Sequence, residues 1–341
     1  MKLLKVLCFS VLVLSGVNSI AEPNQWCHPK KIKLEKGQTR GDDVAIWTGS
    51  ALMTRNVAQI REIFDSTNSP NCLGDDGKPQ LGSFASGVSN YFKENPGEKG
   101  LETVKFFKKA APKETLSALI EAQYWIDYAW HARGSAYASS VSEDGWRMFH
   151  ERIAKAEVVL SESKPYASSN PIWYENMLIV KSVGKASRRE RDALFMEGVQ
   201  KFSWYVPLYF VMAEYLAPWW GGNWEMIDNM ASWSVEQTKP SMGTAMYTRI
   251  YWAISEHYTQ VPNVFQTTKA KWPKMKQGFD DLTNRFPSMW NLNAYARFAC
   301  DAGDRATYLT LRKRIGDDGI DERAWKSTHH EVCDSKFGRT R

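Results

Sequence analysis

Helix-forming segments recur about every 35 residues along much of this chain, and no other feature of the sequence constrains the fold as strongly. Pairs of such segments begin near Pro171, Val206 and Ser241. A fourth pair begins near Met289, after a proline-containing insertion. Because one pair of helices cannot bury its own apolar face, pairs with this spacing are expected to stack on one another. The spacing therefore predicts an all-α, α-solenoid-like fold of helix–turn–helix repeats.

The ends of individual helices can also be read from the sequence. In the second pair the first helix covers residues 207–216, and the second begins at Trp224 after a turn rich in proline, tryptophan and glycine. The third pair begins with a helix over residues 245–257. One helix–turn–helix per period of this length is typical of tetratricopeptide repeats, although no unit matches that consensus in full. The prediction therefore concerns architecture.

The N-terminal part of the chain has a different composition. Residues 22–110 contain segments rich in glycine, aspartate, asparagine and proline, which interrupt regular structure, although residues 57–64 are compatible with a helix. We expect a small irregular N-terminal region there. A helical-repeat domain is predicted at residues 111–328, and a C-terminal tail at residues 329–341.

The first 21 residues have the pattern of a secretory signal peptide. Lys2 and Lys5 give a positive start, an apolar stretch follows, and Ser19 and Ala21 form a small-x-small cleavage site. The apolar stretch is too short for a comfortable membrane span, although an uncleaved anchor is the alternative. We therefore expect cleavage after Ala21 and a periplasmic protein.

Four cysteines remain after such a cleavage: Cys27, Cys72, Cys300 and Cys333. An even number of cysteines in an exported chain predicts disulfides. Three pairings are possible, and we favour Cys27–Cys72 with Cys300–Cys333, because each pair lies in one terminal region. No Cys-x-x-Cys motif occurs, so neither a zinc ribbon nor a thioredoxin-type site is indicated.

Four motifs follow one another between residues 110 and 326. They are Arg133-Gly-Ser-x-Tyr-Ala-x-x-Val141 with Gly145-Trp146, Pro218-Trp-Trp-Gly-Gly222, Tyr247-x-Arg249-Ile-Tyr-Trp252, and Asn293-x-Tyr-Ala-x-Phe-Ala-Cys-x-Ala-Gly-Asp304. In this order they resemble the DUF4034 family of bacterial proteins. The resemblance implies helical, tetratricopeptide-like repeats and supplies no established catalytic residue. Trp220 and Asn223 depart from the pattern of the family.

The sequence contains none of the common catalytic signatures. A Gly-x-Ser-x-Gly nucleophile elbow, a phosphate-binding P-loop and a dinucleotide-binding glycine pattern are all missing. His150 and Glu151 begin like a zinc-binding helix, but no second histidine follows at the required spacing. His329, His330 and Glu331 are interpreted as part of a surface tail. The sequence therefore predicts no catalytic residue, metal ligand or cofactor.

Tryptophan and tyrosine are concentrated between residues 204 and 233, and most of them are expected to pack between helices. Trp146 and Phe149 likewise lie on the apolar face of an earlier helix. Trp219 and Trp220 are different, because they occupy a turn after Pro218 and cannot easily both enter the core. At least one of them is predicted to be exposed and to bind a partner. The predicted partner-binding residues are Trp219, Trp220, Trp224, Trp130, His131 and Arg133.

For His131, a satisfied polar network between two helices is the alternative interpretation. The formal net charge of the chain is +6, and its basic clusters are interrupted by acidic residues, which is typical of a solvated surface. We expect neither nucleic-acid binding nor an integral membrane span.

Two functions are compatible with these features. The first is a non-enzymatic, periplasmic protein-binding module, since helical repeats offer extended concave surfaces. A sharper form, by analogy, is an immunity protein that binds and inhibits a toxic secreted effector such as a type VI secretion lipase. The second is a periplasmic, envelope-acting hydrolase with carboxylates in a groove. The sequence alone does not indicate which carboxylates would meet.

Overall fold

The structure, a computed structural model, describes residue 27 and residues 40–135, 138–257, 259–325 and 328–339. In these ranges the chain forms sixteen α-helices and three 3₁₀ turns, and the only strand-like contact is an isolated bridge between Leu73 and Pro79. The predicted all-α fold is confirmed. The predicted signal peptide, residues 1–21, lies outside the described residues.

The helices follow one another with mostly short connections. In chain order they are α1 Arg40–Met53, α2 Val57–Thr67, α3 Gln80–Glu94, α4 Glu98–Ala110, α5 Thr115–Arg133, α6 Glu143–Ala167, α7 Pro171–Val183, α8 Arg188–Phe202, α9 Pro207–Tyr215, α10 Trp224–Met242, α11 Ala245–His257, α12 Val264–Thr267, α13 Trp272–Arg285, α14 Met289–Asp301, α15 Arg305–Ile315 and α16 His330–Phe337. No helix among the described residues combines the length and the hydropathy that a membrane-spanning segment needs.

Successive pairs stack through one continuous row of helices. Helix α3 packs on α5, α5 on α7, α7 on α9, and α9 on α11. The second helix of a pair also packs on the first helix of the next, as α6 does on α7, α10 on α11 and α13 on α14. This arrangement is consistent with a solenoid of helical repeats, in which each pair covers the apolar face of its neighbour.

Side chains at the first turns explain where several helices begin. Ser187 caps α8 through a capping box, in which its hydroxyl accepts from the Glu190 amide while the Glu190 carboxylate accepts from the Ser187 amide. The Asn170 side chain accepts from the Ile172 amide, and Pro171 at the first helical position needs no hydrogen-bond partner for its nitrogen. Capping residues and first-turn prolines of this kind mark helix starts in a sequence, and the spacing of the helices can be recognised from them.

Aromatic side chains fill much of the space between the helices. Tyr205, Tyr209 and Tyr251 are fully buried, and Trp173 is almost so. The Trp173 indole N–H donates to the carbonyl oxygen of Leu160, which satisfies its polar group inside the core. The interpretation of most aromatic residues as packing between helices therefore agrees with the structure.

The N-terminal region is more regular than its composition predicts. Helices α1 to α4 occupy most of residues 40–110, and Phe84, Phe92 and Phe107 join the same core as the later repeats. The helix predicted at residues 57–64 is part of α2. Sequence reasoning missed α3 because glycine and serine weaken its helical pattern, yet Gly87 allows α3 to lie directly against the backbone of Ala45 on α1. Among residues 40–110, the expectation of an irregular region is correct only for the connection between α2 and α3.

The predicted C-terminal tail also contains regular structure. Helix α16 lies within it, and a disulfide joins Cys333 of this helix to Cys300 of α14. A second disulfide joins Cys27 to Cys72, just before α3. These are the two sequence-local pairs that the sequence analysis favoured. The tail is thus held against the last repeat by a covalent bond as well as by the burial of Phe337.

The connection before α3 brings the two ends of the superhelix together. The guanidinium of Arg249 on α11 donates to the carbonyl oxygen of Asp76, and so does the side-chain amide of Asn291 on α14, at 3.3 Å. Gly77 has a φ of +77° and lies against the ring of Phe286, where a Cβ would overlap the ring. The repeats therefore close around a groove instead of forming an open array.

Candidate functional site: an aromatic surface and an acidic cavity

A tight turn after α9 presents the two tryptophans singled out from the sequence. Pro218 begins a 3₁₀ turn, and the chain leaves it through Gly221, whose φ is +83°. At Gly222 a Cβ would overlap the carbonyl oxygen of Leu216, so this position accepts only glycine without a backbone shift. Trp219 is 38% exposed and Trp220 is 37% exposed. Sequence reasoning allowed for one inward and one outward indole, whereas the structure exposes both to the same degree.

Both indoles are held by neighbouring rings. Trp220 meets Trp130 edge to face, with ring centroids 6.3 Å apart, and its centroid lies 4.9 Å from that of Tyr215. The ring centroids of Trp219 and Trp224 are 5.5 Å apart. Edge-to-face pairs of this kind are favourable because the positive edge of one ring meets the negative face of the other. The exposed rings are therefore ordered before any partner arrives.

The last turn of α5 and the first turn of α6 extend this surface. The Arg133 guanidinium lies 5.9 Å from the ring centroid of Trp130 and 5.8 Å from that of Trp146, so it sits between two indoles. Trp146 in turn packs edge to face on Phe149, with centroids 5.7 Å apart. Sequence reasoning placed Trp146 on the apolar face of its helix and did not count it as a binding residue. In the following, the aromatic surface denotes Trp130, Arg133, Trp146, Trp219, Trp220 and Trp224.

His131 follows Trp130 on α5 but contacts a different set of residues. Its ring stacks on Tyr128, with centroids 6.3 Å apart and an interplanar angle of 27°. Beside it lies a shallow depression that Gly97 and Arg152 also line. The structure thus brings five of the six predicted binding residues together and separates His131 from them.

A cavity of about 510 Å³ lies within the closed superhelix, a volume typical of small-molecule sites. Helices α1, α3, α7, α9 and α11 and the connection before α3 supply its walls. We call it the acidic cavity, and its charged or amide-bearing lining includes Asp42, Asp76, Lys78, Gln80, Glu175 and Glu214. Sequence reasoning could not find this site, because its residues come from five separate helices and a connection.

The carboxyl group of Glu175 has a perturbed pKa. Burial raises its pKa to about 7, although the Tyr205 hydroxyl donates a hydrogen bond of 2.5 Å to one carboxylate oxygen and opposes the rise. Within the described ranges no basic side chain lies within 4.0 Å of Glu175 or of Glu214. A carboxyl group that titrates near neutral pH is able both to hold and to release a proton there.

Asp76, in the connection before α3, has the reverse environment. Burial alone would raise the pKa of this carboxyl, but nearby Lys78 and Arg249 outweigh it and hold the pKa below its ordinary value. The ammonium of Lys78 lies 2.9 Å from the carboxylate. Asp76 therefore stays ionised at neutral pH, and its charge is compensated.

One grouping among the described residues has the composition of a metal site. Ligand atoms of Glu322, His330 and Glu331 lie within 4.8 Å of one another. Both carboxylates are exposed and the histidine is buried, and the His330 Nδ1 atom lies 3.2 Å from Glu331 and 3.3 Å from Glu322. Exposed acidic groups such as Glu322 and Glu331 are common without a metal ion.

Comparison of the chain with protein-family models, with curated proteins and with solved structures finds no match.

Proposed function

We propose that this protein is a non-enzymatic binding module whose aromatic surface contacts another protein. The observation that carries the proposal is the exposure of Trp219 and Trp220, at 38% and 37%, on a tight 3₁₀ turn. Tryptophan and arginine are the residue types most often found at energetic hot spots of interfaces. Because neighbouring rings already order these side chains, little conformational entropy is lost on binding.

The proposed location is the periplasm. Its support is the signal-like pattern of residues 1–21 together with the two disulfides, which persist in oxidising compartments. In its sharper form the proposal describes an immunity protein that binds and inhibits a toxic secreted effector, such as a type VI secretion lipase. This form rests on analogy, as does the proposed membership of the DUF4034 family, and the identity of the partner decides it.

Comparative affinity capture from periplasm, followed by mass spectrometry, tests the proposal. The wild type is compared with a Trp130→Ala/Trp220→Ala variant and with a control, Tyr166→Ala. Tyr166 is 38% exposed, like Trp219, but lies at the opposite end of α6 from Trp146. We expect a protein that the wild type and the control retain and that the tryptophan variant loses. The same captured proteins in all three samples would show that the aromatic surface is not the binding site.

The second candidate function is a hydrolase that acts on envelope material. One observation favours it: the pKa of Glu175 lies at about 7, in a cavity that Glu214 also lines. A carboxyl group that titrates near neutral pH is able to act as a general acid or a general base. A screen of the purified protein against envelope polymers and lipids tests this function. Turnover that both Glu175→Gln and Glu214→Gln abolish would favour it over the binding module.

A further inference from the structure

The imidazole of His330, the first residue of α16, has an unusual environment. Its Nδ1 atom is buried and makes no hydrogen bond with any described residue. Only 12% of the side chain is exposed. Buried polar atoms are almost always hydrogen-bonded, and a neutral imidazole nitrogen is the commonest metal ligand in proteins. The sequence analysis interpreted His330 as part of a surface tail and gave no reason to expect a buried, unpaired nitrogen there.

Two carboxylates approach this nitrogen at the spacing of metal ligands. Nδ1 lies 3.3 Å from a carboxylate oxygen of Glu322 and 3.2 Å from one of Glu331. Around a tetrahedral zinc ion with ligands at their usual bond lengths, neighbouring donor atoms are about 3.4 Å apart. Ligand atoms of the three residues all lie within 4.8 Å of one another. One ion is therefore able to contact all three side chains with only small shifts.

A simple ion pair is the alternative explanation of these distances. A protonated His330 would donate along its N–H bond and would need an acceptor close to that line. Neither carboxylate oxygen occupies such a position, although both lie close to Nδ1. Donor atoms that share a metal ion have the observed arrangement, because they lie to either side of the ion and do not point at one another.

The charge of the grouping also favours a divalent cation. In the part of the chain that the structure describes, no lysine or arginine lies within 4.0 Å of Glu322 or Glu331. The positive end of the α16 dipole disfavours a nearby cation. Two carboxylates oppose this effect, and together they carry two negative charges that a divalent ion neutralises.

The surrounding fold already positions these ligands. Glu322 is the first residue of a 3₁₀ turn that leads to the fully buried Trp325, and the Trp325 ring lies 5.9 Å from that of His330, centroid to centroid. The Tyr308 hydroxyl donates to the carbonyl oxygen of His330 at 3.3 Å. Three residues further along α16, Cys333 anchors the helix to α14 through its disulfide. Both elements that carry the ligands are thus held in place without an ion.

We infer that Glu322, His330 and Glu331 bind a zinc ion, which ties the 3₁₀ turn after α15 to the first turn of α16. Imidazole nitrogen suits zinc, whereas Mg²⁺ and Ca²⁺ prefer oxygen ligands alone. The ion would hold the tail on the last repeat in addition to the Cys300–Cys333 disulfide. This inference does not rest on the proposed protein-binding function, because none of the three ligands belongs to the aromatic surface.

Zinc titration of the full chain, after treatment with a chelator and removal of the chelator, tests this inference. Competition with a chromophoric zinc chelator measures the affinity, and we expect one zinc ion per wild-type chain that a large excess of Mg²⁺ does not displace. Glu322→Gln/Glu331→Gln changes two exposed carboxylates at constant size and is expected to weaken binding at least about tenfold, as is His330→Gln. The control His329→Gln removes the exposed neighbouring histidine and is expected to bind as the wild type does.

Thermal unfolding with and without zinc gives a second readout. Zinc is expected to raise the melting temperature of the wild type and of His329→Gln, but not that of the double variant, since an ion that binds only the folded state stabilises it. Absence of zinc binding by the wild type would overturn the inference. Equal binding by the double variant, or an equal loss in His329→Gln, would show adventitious binding to surface groups only.

If His330→Gln is unfolded, the glutamate variants decide the outcome, because their side chains are exposed. Trp220→Ala is expected to bind zinc as the wild type does, so failure of this inference is distinguishable from failure of the proposed protein-binding function.

Discussion

Trp130 and Trp220 meet edge to face, with their ring planes at 90° and their centroids 6.3 Å apart. Trp130 lies on α5 and Trp220 on the turn after α9, so the contact joins two residues that helices α6 to α9 separate in the chain. It joins residues that the sequence analysis proposed separately as binding residues. The surface that we propose for partner binding therefore exists only in the folded superhelix.

Replacing Trp220 by alanine is expected to weaken partner binding by about 2 kcal/mol, because truncation removes a large, ordered contact. The melting temperature is expected to change by only a few degrees, since more than a third of the side chain is already exposed. Titration of the captured partner and thermal unfolding measure the two effects. A double-mutant cycle of Trp220→Ala and Trp130→Ala, measured on the free energy of unfolding, is expected to give a coupling energy of about 1 kcal/mol. Additive losses would contradict the contact.

Gly222→Ala is expected to destabilise the protein by about 1–3 kcal/mol, because its Cβ would overlap the carbonyl oxygen of Leu216. Gly221→Ala is the matched comparison. It has a φ of +83° but no atom within 4 Å of an added Cβ, so only the backbone cost of about 1 kcal/mol is expected. Urea unfolding of both variants measures the difference. Equal losses would mean that the turn relaxes around Gly222.

Arg249→Leu is expected to destabilise the protein by about 3–5 kcal/mol, because it leaves the buried carboxylate of Asp76 and its carbonyl oxygen without the guanidinium. The control is Arg55→Leu, since Arg55 forms an exposed ion pair with Glu102 at 3.2 Å. This control is expected to change the unfolding free energy by less than about 1 kcal/mol. Chemical denaturation of the two variants checks both values, and a small effect at Arg249 would contradict closure of the superhelix by this contact.

Asp127 is expected to make stability decrease with increasing pH. Burial raises its pKa to about 6, although hydrogen bonds from Gln123 and Ser89 oppose the rise. Because the folded state then holds the proton more tightly than the unfolded state, its contribution to stability is full below about pH 4 and is lost as the pH rises through 6. Asp127→Asn is expected to gain up to about 3 kcal/mol relative to the wild type between pH 4 and pH 8.

Urea unfolding at a series of pH values measures this gain. Glu162→Gln, which removes an exposed carboxylate on α6, is the control and is expected to follow the wild type. A difference between Asp127→Asn and the wild type that does not vary with pH would contradict the assigned shift. Glu175 acts in the same direction, so the wild type is expected to lose stability over the same interval.

Removing either disulfide is expected to cost about 3–4 kcal/mol of unfolding free energy, since each bond closes a loop, of 45 residues for Cys27–Cys72 and 33 residues for Cys300–Cys333. Paired cysteine-to-alanine variants and thermal unfolding measure the cost. Peptide mapping without reductant is expected to recover these two linked pairs. A peptide that links Cys27 to Cys300 would overturn the pairing.

Much of the fold could be predicted from local signals. The helix over residues 245–257 has the predicted ends, because the chain turns at Gly243 and amphipathic spacing continues through the whole segment. Helix α3 was missed for the opposite reason. Its glycines and serines have weak helical propensity, and close packing of Gly87 on α1 stabilises it instead. Tertiary packing of this kind leaves no periodic signal in the sequence.

The candidate sites were less accessible to sequence reasoning. An exposed tryptophan at the turn could be predicted, because Pro218 and the two glycines after Trp220 fix a sharp change of direction. The acidic cavity could not, since it depends on which helices meet. Glu175 lies in an apolar helical segment, and only the approach of α3, α9 and α11 gives it its surroundings.

The contact between Arg249 and Asp76 has a consequence for how the chain is made. A polypeptide emerges from the ribosome beginning with its N-terminus, so α1 to α4 are available long before α11 has been synthesised. Until then Asp76 has only Lys78 as its paired cation, and the contact of the connection before α3 with Arg249 cannot form. The early helices therefore gain their contacts with α11 and α14 only after the later part of the chain has been made. A nascent chain that stalls before Arg249 would present an unfinished N-terminal half to chaperones and proteases.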